Sequence, residues 1–347
     1  MRRAKKILLI LPQLVASHWM QRAEEESESM AVGGQAILEG VMMRSPDAIA
    51  AAVRRPSGDV LVRLKPYVAL SKRVRFWHPP LLRGIAALWE SLSVGMSIIN
   101  WSAEIAAEEE TTDGEPRKEK WWEKLLGILM IVVAFCLGLG LFVYLPYLVS
   151  GFLKPDSSPI IFHIIAGVLR VVLLIGYLWA ISLAKDIRRL FMYHGAEHKS
   201  ISAFEHKLEL TVENAKKQSR FHPRCGTSFV LIVALLTMVV FMLLDALIIA
   251  MVGDYNSALH RLIVHLPFIP LVAGFSFEVL KISARFQDSW WGRQVVKPGL
   301  WLQRITTREP ESSMLEVALI SLTTSLNHAV DPKQATLWLD PNQELPG

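Results

Sequence analysis

Residues 228–252 read SFVLIVALLTMVVFMLLDALIIAMV, and this stretch decides the fold class. An α-helix rises about 1.5 Å per residue, so a helix of this length crosses the roughly 30 Å hydrocarbon core of a bilayer. Asp245 is its only charged residue. Three further stretches, at 125–149, 160–184 and 261–282, are similarly long and apolar. The sequence therefore predicts an α-helical integral membrane protein with about four transmembrane helices.

The fourth stretch is the least regular of the set. It contains Pro267, Pro270 and Glu278. Proline removes a helical hydrogen bond, and a carboxylate is costly in hydrocarbon. A kinked spanning helix, a re-entrant segment and a helix on the membrane surface therefore all remain open for it.

The overall composition agrees with a membrane location. Hydrophobic residues make up 52% of the chain and the mean hydropathy is +0.33, which exceeds the usual range of soluble proteins. The formal charge of +5 comes from basic residues beside the apolar stretches, which argues against a specific nucleic-acid partner. Cys136 falls in an apolar stretch and Cys225 in a polar connection, so we expect both cysteines to stay reduced.

The connection between the second and third apolar stretches is strongly basic. Its basic residues are Lys185, Arg188, Arg189, Lys199, Lys207, Lys216, Lys217, Arg220 and Arg224. The short connections at the other ends of the stretches hold only Lys154 and Arg261. Because lysine and arginine accumulate in cytoplasmic loops, we predict a multi-pass cell-membrane protein with both termini in the cytoplasm.

The segments outside the apolar stretches predict a small cytoplasmic α+β cap, formed by the N-terminal hairpin region, the central connection and the C-terminal segment. Residues 48–55 and 60–64 flank Pro56-Ser57-Gly58-Asp59, a hairpin pattern with a glycine in its turn. Residues 33–44 predict a further strand. Ser313 and Glu316 have the spacing of a capping box, which predicts a helix from Met314 to Leu326 and a disordered tail after it.

These patterns divide the chain into consecutive segments. They are a β-unit at 30–79, an interfacial helix at 80–106, a charged linker at 107–124, transmembrane helices 1 and 2 within 125–184, a His-rich connection at 185–227, transmembrane helices 3 and 4 within 228–282, and a C-terminal segment and tail at 283–347. Residues 1–29 precede them as an extension, and we expect translation to start at Met30.

A candidate metal site follows the second apolar stretch, where residues 191–199 read FMYHGAEHK. This contains H-x-x-E-H, the inverted form of a zinc-protease motif. His194 and His198 would project from one face of a helix as two ligands of a divalent metal, for which zinc is expected. Glu197 would serve as general base. His222 or Cys225 would complete the coordination sphere, and Glu205 and Glu278 are candidates to line it.

Other interpretations of these residues stay open at this point. Histidines at a membrane surface often bond only to headgroups or backbone, and a five-residue motif occurs by chance. His222 and Cys225 also suit a turn that caps the third helix, with Cys225 as a buried thiol. Glu278 could instead be a surface carboxylate. Arg170 and Asp245 would lie at similar depth in the membrane, which predicts an ion pair between them.

Several blocks of the sequence resemble one family, the YqhQ group of bacterial membrane proteins. The blocks are Gly33-Gly34-Gln35-Ala36 with residues 39–44, residues 191–199, residues 210–214, residues 222–228, residues 298–303 and residues 306–310. Residues 1–29 fall outside the pattern. The resemblance implies a metal-dependent enzyme of unknown substrate, and it groups the cytoplasmic blocks into one unit. Glu39, Arg44, Arg308 and Glu309 then become further candidates to line the site.

These observations lead to three functional hypotheses. The first is a membrane-bound, metal-dependent enzyme, expected to be a hydrolase at the cytoplasmic membrane face. The second is a non-enzymatic scaffold or assembly factor that docks a cytoplasmic protein complex such as the ribosome. The third is an oligomeric transporter with Arg170, Asp245 and Glu278 along its path. Membrane lipid is the expected partner in each case.

Overall fold

The structure is a computed structural model that describes residues 32–107, 121–153, 159–223, 225–253, 255–285 and 289–338. The predicted extension at 1–29, residues 108–120 of the predicted charged linker and the last nine residues of the tail lie outside the described residues.

A five-stranded sheet forms the β-unit. Its strands are β1 (Gly33–Ile37), β2 (Gly40–Arg44), β3 (Ala48–Arg54), β4 (Val60–Pro66) and β5 (Thr336–Leu337). The first four form an antiparallel meander, and β5 pairs in parallel with β4. The predicted hairpin around Gly58, whose φ is +96°, is present. The tail was expected to be disordered, but residues 336–338 are ordered because they pair with β4.

Twelve helices complete the described chain. They are α1 (Leu70–Arg73), α2 (Pro80–Ala107), α3 (Trp121–Leu139), α4 (Leu145–Leu153), α5 (Pro159–Ile181), α6 (Lys185–Glu205), α7 (Val212–Lys216), α8 (Gly226–Val252), α9 (Ala258–His265), α10 (Ile269–Arg285), α11 (Trp290–Thr306) and α12 (Ser312–Asn327). A π-helical turn at Gly140–Tyr144 joins α3 to α4. A 3₁₀ turn at Leu266–Phe268, which contains Pro267, interrupts the fourth apolar stretch between α9 and α10.

Five helical stretches of the described chain are long and apolar enough to cross a membrane. They are Pro80–Ala106, Leu125–Leu153, Ile161–Ile181, Val233–Val252 and Leu259–Val279. Four of them overlap the predicted transmembrane helices. The additional one is the helix that the sequence predicts to lie at the membrane interface.

The start of α12 differs from its prediction. The helix begins at Ser312, with Glu311 as its N-cap residue and no side-chain capping bond. Ser313 therefore lies inside the first turn, where its hydroxyl cannot cap the helix, and the predicted capping box is wrong.

Helices cover both faces of the sheet. On one face, Val41 and Met43 of β2 pack with Tyr193 of α6 and Met314 of α12. On the other face, Met42 packs against a different set of buried side chains, Ile98, Trp101 and Ile105 of α2. Strand residues alternate between the two faces, as a two-sided core requires. The outer strand β1 contacts both α2 and α6.

Candidate metal centre

His194 and His198 project from the same face of α6, one turn apart, with ring centroids 4.4 Å apart. His194 Nδ1 lies 2.7 Å from the carbonyl oxygen of Thr306, and His198 Nδ1 lies 2.6 Å from that of Arg220. A carbonyl oxygen only accepts a hydrogen bond, so each Nδ1 carries the proton and each Nε2 presents a lone pair. Metal-binding histidines are oriented by hydrogen bonds of this kind.

Cys225 brings a thiol to the two imidazoles. Its Sγ lies 3.2 Å from His194 Nε2, and the ligand atoms of His194, His198 and Cys225 all lie within 4.8 Å of one another. Tetrahedral zinc, with Zn–N near 2.0 Å and Zn–S near 2.3 Å, separates nitrogen from sulfur by about 3.6 Å. His198 Nε2 is buried and makes no hydrogen bond of acceptable geometry within the described residues. The three residues therefore fit a zinc ion.

The local structure explains why Cys225 reaches this position. It directly precedes α8, so its sulfur lies at a helix N-terminus, where the backbone dipole favours negative charge. The same residue is only 5% exposed. A buried cysteine sulfur beside two imidazoles is a ligand set that suits zinc and does not suit magnesium or calcium.

His222 lies beside this cluster but faces another partner. Its ring centroid is 5.6 Å from that of His198, and its Nε2 lies 3.1 Å from Glu205 Oε1. Gln303 holds the backbone of His222 from both sides, through bonds of 2.8 and 2.7 Å. Burial lowers the pKa of His222 to about 4, so the imidazole is neutral at pH 7. The sequence left His222 and Cys225 as alternatives for the third ligand. Of these, Cys225 belongs to the compact ligand group, in which the ligand atoms of His194, His198 and Cys225 lie within 4.8 Å of one another.

Glu197 occupies the position next to His198 and is 5% exposed. It lies against β1, since a Cβ added to Gly34 would come within 2.7 Å of Glu197 Cγ. Burial raises the pKa of Glu197, while the nearby His194 and His222 act in the opposite direction. A buried carboxyl with a raised pKa beside a cleft is a candidate general base.

A cavity of about 410 Å³ opens beside Glu197 and His194. The backbone of β1 forms one wall, and α2 and α6 form the others. Its lining residues are Gly33, Gly34, Gln35, Ala36, Met42, Arg44, Ser91, Val94, Leu190, Phe191, His194 and Glu197. The cavity is therefore mostly apolar, with the candidate base and one metal-binding histidine at its inner side.

The remaining candidates, from the blocks that carry the YqhQ resemblance, are distributed around α6. Arg44 lines the cavity. Glu39, at the turn between β1 and β2, forms an ion pair with Arg189. Arg308 contacts α6 through its backbone, with its N–H donating to the Phe191 carbonyl oxygen at 2.8 Å. Glu309 Oε1 lies 2.5 Å from Lys199 Nζ. Glu39, Arg308 and Glu309 thus hold α6 in place rather than line the cavity.

The predicted ion pair between Arg170 and Asp245 is wrong. Asp245 does not pair with Arg170: its carboxylate oxygens lie 2.6 Å from His163 Nε2, 2.7 Å from His265 Nε2 and 3.2 Å from Arg261 Nε. Arg170 Nε instead donates to the Phe142 carbonyl oxygen at 2.9 Å. The prediction matched the two residues by depth alone, whereas the direction of each side chain decides its partner.

Glu278 is also placed differently from the sequence expectation. Its Oε1 accepts a bond of 2.6 Å from Arg83 Nε, and its Oε2 lies 2.5 Å from Arg83 Nη2. This pair connects α10 to the beginning of α2. The compact ligand group of the described residues does not include Glu278.

Comparison with known proteins assigns the chain to a family. Residues 79–328 match a family model described as "Protein of unknown function (DUF1385)". The chain is 35% identical over 302 residues to "Uncharacterized protein YqhQ" of Bacillus subtilis (strain 168), which covers 84% of this chain and 91% of that protein. The chain belongs to the YqhQ family. The YqhQ match includes the whole histidine–cysteine cluster, but it assigns no activity. No solved structure matches the chain significantly.

In this YqhQ-family chain, sequence reasoning missed the residues that support the cluster. Thr306 and Arg220 act through backbone carbonyl groups, which a sequence pattern does not reveal. Gln303, whose side chain holds His222, lies in a block that the YqhQ resemblance identified. Gly195 is a further signal, because glycine is unusual inside a helix. A Cβ added there would come within 2.1 Å of the Arg308 carbonyl oxygen.

Proposed function

We propose that this YqhQ-family chain is a membrane-bound, metal-dependent hydrolase whose site faces the cytoplasm. One observation carries the proposal: His194 and His198 are both anchored at Nδ1 by a backbone carbonyl, and their Nε2 atoms converge with the Cys225 thiol. Two imidazoles and a thiolate make a three-ligand set, which leaves a tetrahedral metal one position for water or substrate.

The residues of the chain then have distinct roles. A bound zinc ion would supply a Lewis acid for a carbonyl or phosphoryl oxygen of the substrate. Glu197 takes the proton from a water molecule that enters the cavity, and burial suits it to this role by raising its pKa. Thr306 and Arg220 fix the orientation of the two imidazole rings. The apolar cavity walls exclude bulk water from the bound substrate.

The number of crossings between the sheet and α6 must be even, which supports four membrane crossings rather than five. Three of the apolar stretches lie between β4 and α6, namely Pro80–Ala106, Leu125–Leu153 and Ile161–Ile181. If all three crossed, the sheet and α6 would lie on opposite sides of the membrane. However, Val41 of the sheet and Tyr193 of α6 share one core. An even number of the three stretches must therefore cross, and we propose that two of them do.

Helix α2 is the stretch that best fits an interfacial position. Its C-terminal half packs on the sheet through Ile98, Trp101 and Ile105. Trp89, Leu92 and Met96 form an exposed apolar stripe along the same helix. A helix with one side on a soluble domain and an apolar stripe on the other side suits the headgroup region of a bilayer. The basic connection around α6 then faces the cytoplasm.

Metal analysis of the purified full chain tests the proposal. We expect about one zinc ion per chain, lost in His194→Ala, His198→Ala and Cys225→Ala. His206→Ala is a matched control, because His206 follows directly at the C-terminal end of α6 and bonds to Gln218. Glu197→Gln should retain zinc and lose hydrolysis of a panel of peptides, carboxylic esters and phosphate esters. Wild-type protein that binds no divalent metal would refute the proposal.

A further inference from the structure

The free edge of β1 forms the wall of the cavity. Two hydrogen bonds at the ends of the β2–β3 pair show which residues of β2 bond to β3. Arg54 N–H donates to Glu39 O, and Ser45 N–H donates to Ala48 O, each at 2.9 Å. The odd-numbered residues of β2, such as Val41, therefore direct their backbone groups toward β3. The even-numbered residues of β2 direct theirs toward β1.

The register of β1 then identifies which of its groups face outward. Gly33, Gln35 and Ile37 are opposite the even-numbered residues of β2 and bond to them. The N–H and C=O groups of Gly34 and Ala36 consequently point away from the sheet. Within the described residues, no hydrogen bond uses these four groups. Unpaired strand-edge groups form a template for another strand.

Glu197 lies over the strand that carries this edge. Side chains of a strand point above and below the sheet, so a Cβ position reports on a face of β1. A Cβ added to Gly33 would meet no atom within 4 Å, so the face of β1 at Gly33 is open. On the face at Gly34, Glu197 Oε1 lies 2.8 Å from the position of an added Cβ. Because paired strands lie about 4.8 Å apart, a strand added to β1 would run next to the strand that Glu197 covers.

We propose that the cavity binds an extended peptide segment as an added strand on the edge of β1. This inference rests on the proposed function and names its substrate class, a peptide. The alternating side chains of such a strand would contact the two walls of the cavity, Val94 of α2 on one side and Phe191 of α6 on the other.

Arg44 gives the cavity a charge preference. It lies opposite Gly33 in the sheet, at one end of the free edge. Its Nη1 lies 3.5 Å from the Tyr67 hydroxyl, which bonds to Glu90, and Arg44 itself forms no salt bridge with a carboxylate of the described residues. An antiparallel peptide would direct its C-terminal side toward this end. The segment that fits best therefore carries an acidic residue on its C-terminal side.

Cleavage of this peptide is a hydrolysis that needs only water. The oxygen of water bonds to the carbonyl carbon while the C–N bond breaks. Glu197 takes one proton from the water and delivers it to the leaving nitrogen. The second proton of the water passes from the new carboxyl group to the new amine, so the products are one carboxylate and one ammonium group, and nothing is oxidised or reduced.

Peptide binding to the zinc-loaded full chain in lipid nanodiscs tests the inference. The probe is a pool of fluorescent octapeptides with an aspartate at one of the last three positions. The best binder is then made in two forms. One form is N-methylated at its odd-numbered residues and the other at its even-numbered residues. Strand addition predicts that one form binds at least tenfold more weakly than the other, because only one set of amides faces β1. Equal binding of both forms, or no binder in the pool, would overturn the inference.

A variant pair tests the same edge from the side of the protein. Ala36→Pro removes the N–H of residue 36, which points away from the sheet, and it leaves every hydrogen bond to β2 in place. Ala36→Ser keeps that N–H. We expect binding to fall at least tenfold in Ala36→Pro and to stay within twofold in Ala36→Ser. Arg44→Glu should reverse the preference, so that a lysine replaces aspartate in the best peptide. Unchanged affinity in a folded Ala36→Pro protein would contradict strand addition.

Binding and cleavage are measured separately, so the two proposals fail differently. A peptide that binds with the expected phase dependence but is not cleaved would refute the hydrolase while supporting strand addition. Zinc-dependent hydrolysis of esters without any peptide binding would support the hydrolase and refute the peptide as substrate. Mass spectrometry of the bound octapeptide distinguishes these outcomes.

Discussion

His194 and Cys225 place Nε2 and Sγ 3.2 Å apart although 31 residues separate them in the chain. Helix α6 carries the first residue, and the N-terminus of α8 carries the second. A metal held by His194 and Cys225 would connect α6 to the apolar helix α8. A metal bound at this site would therefore also stabilise the folded state of the protein.

Removal of the metal should lower the thermal stability of the purified protein. A ligand at a thousand times its Kd contributes about 4 kcal/mol, so a chelator should lower the Tm of the wild type by several degrees. Cys225→Ser should show the lower Tm without chelator and respond little to it. Cys136→Ser is the matched control, because this cysteine is exposed on an apolar helix and outside the ligand group. An equal chelator response in Cys225→Ser and wild type would argue against ligation by Cys225.

Gly195→Ala should disturb the cluster without touching a ligand. The new Cβ would come within 2.1 Å of the Arg308 carbonyl oxygen, which is backbone and cannot rotate away. Helix α6 would have to separate from residues 306–308, and His194 would lose its bond to Thr306. We expect a destabilisation of about 1–3 kcal/mol and weaker zinc binding.

The control for this substitution is Gly176→Ala in α5. A Cβ there meets no atom within 4 Å, and alanine favours a helix over glycine. Thermal unfolding and zinc titration should therefore show wild-type values or a slight stabilisation for Gly176→Ala. If both variants bind zinc like the wild type, the contact at Gly195 does not position the cluster.

Asp245→Asn should destabilise the apolar helices and leave the metal centre intact. The fully buried carboxylate contacts His163, His265 and Arg261. Loss of one partner from a buried ionic network costs about 3–5 kcal/mol. Unfolding in detergent should therefore occur at a lower temperature, while zinc content stays at the wild-type level. Loss of zinc in a folded Asp245→Asn protein would show that the two clusters are coupled.

The sequence predicted the local features of this protein better than its long-range contacts. The spacing of His194 and His198 follows from one helical turn, and the hairpin at Gly58 follows from alternation and turn chemistry. Arg170 and Asp245 were paired wrongly, because hydrophobic length gives depth in a membrane but not the direction of a side chain. The choice of Cys225 as third ligand, and the support from Thr306, required the packing of helices far apart in the chain.

The proposed topology predicts that a labelling reagent outside the cell reaches only one of three chosen positions. We place single cysteines at three exposed positions in a background of Cys136→Ser and Cys225→Ser: Ser57→Cys in the sheet, His206→Cys after α6, and Ser257→Cys before α9. With four crossings, a membrane-impermeant maleimide labels Ser257→Cys in intact cells. Ser57→Cys and His206→Cys react only after the cells are opened, because the sheet and α6 share one core and the proposed topology places it in the cytoplasm. If α2 also crossed, these two positions would lie on opposite sides, and one of them would react in intact cells. Labelling of either position from outside would therefore exclude the four-crossing arrangement and the cytoplasmic location of the metal centre.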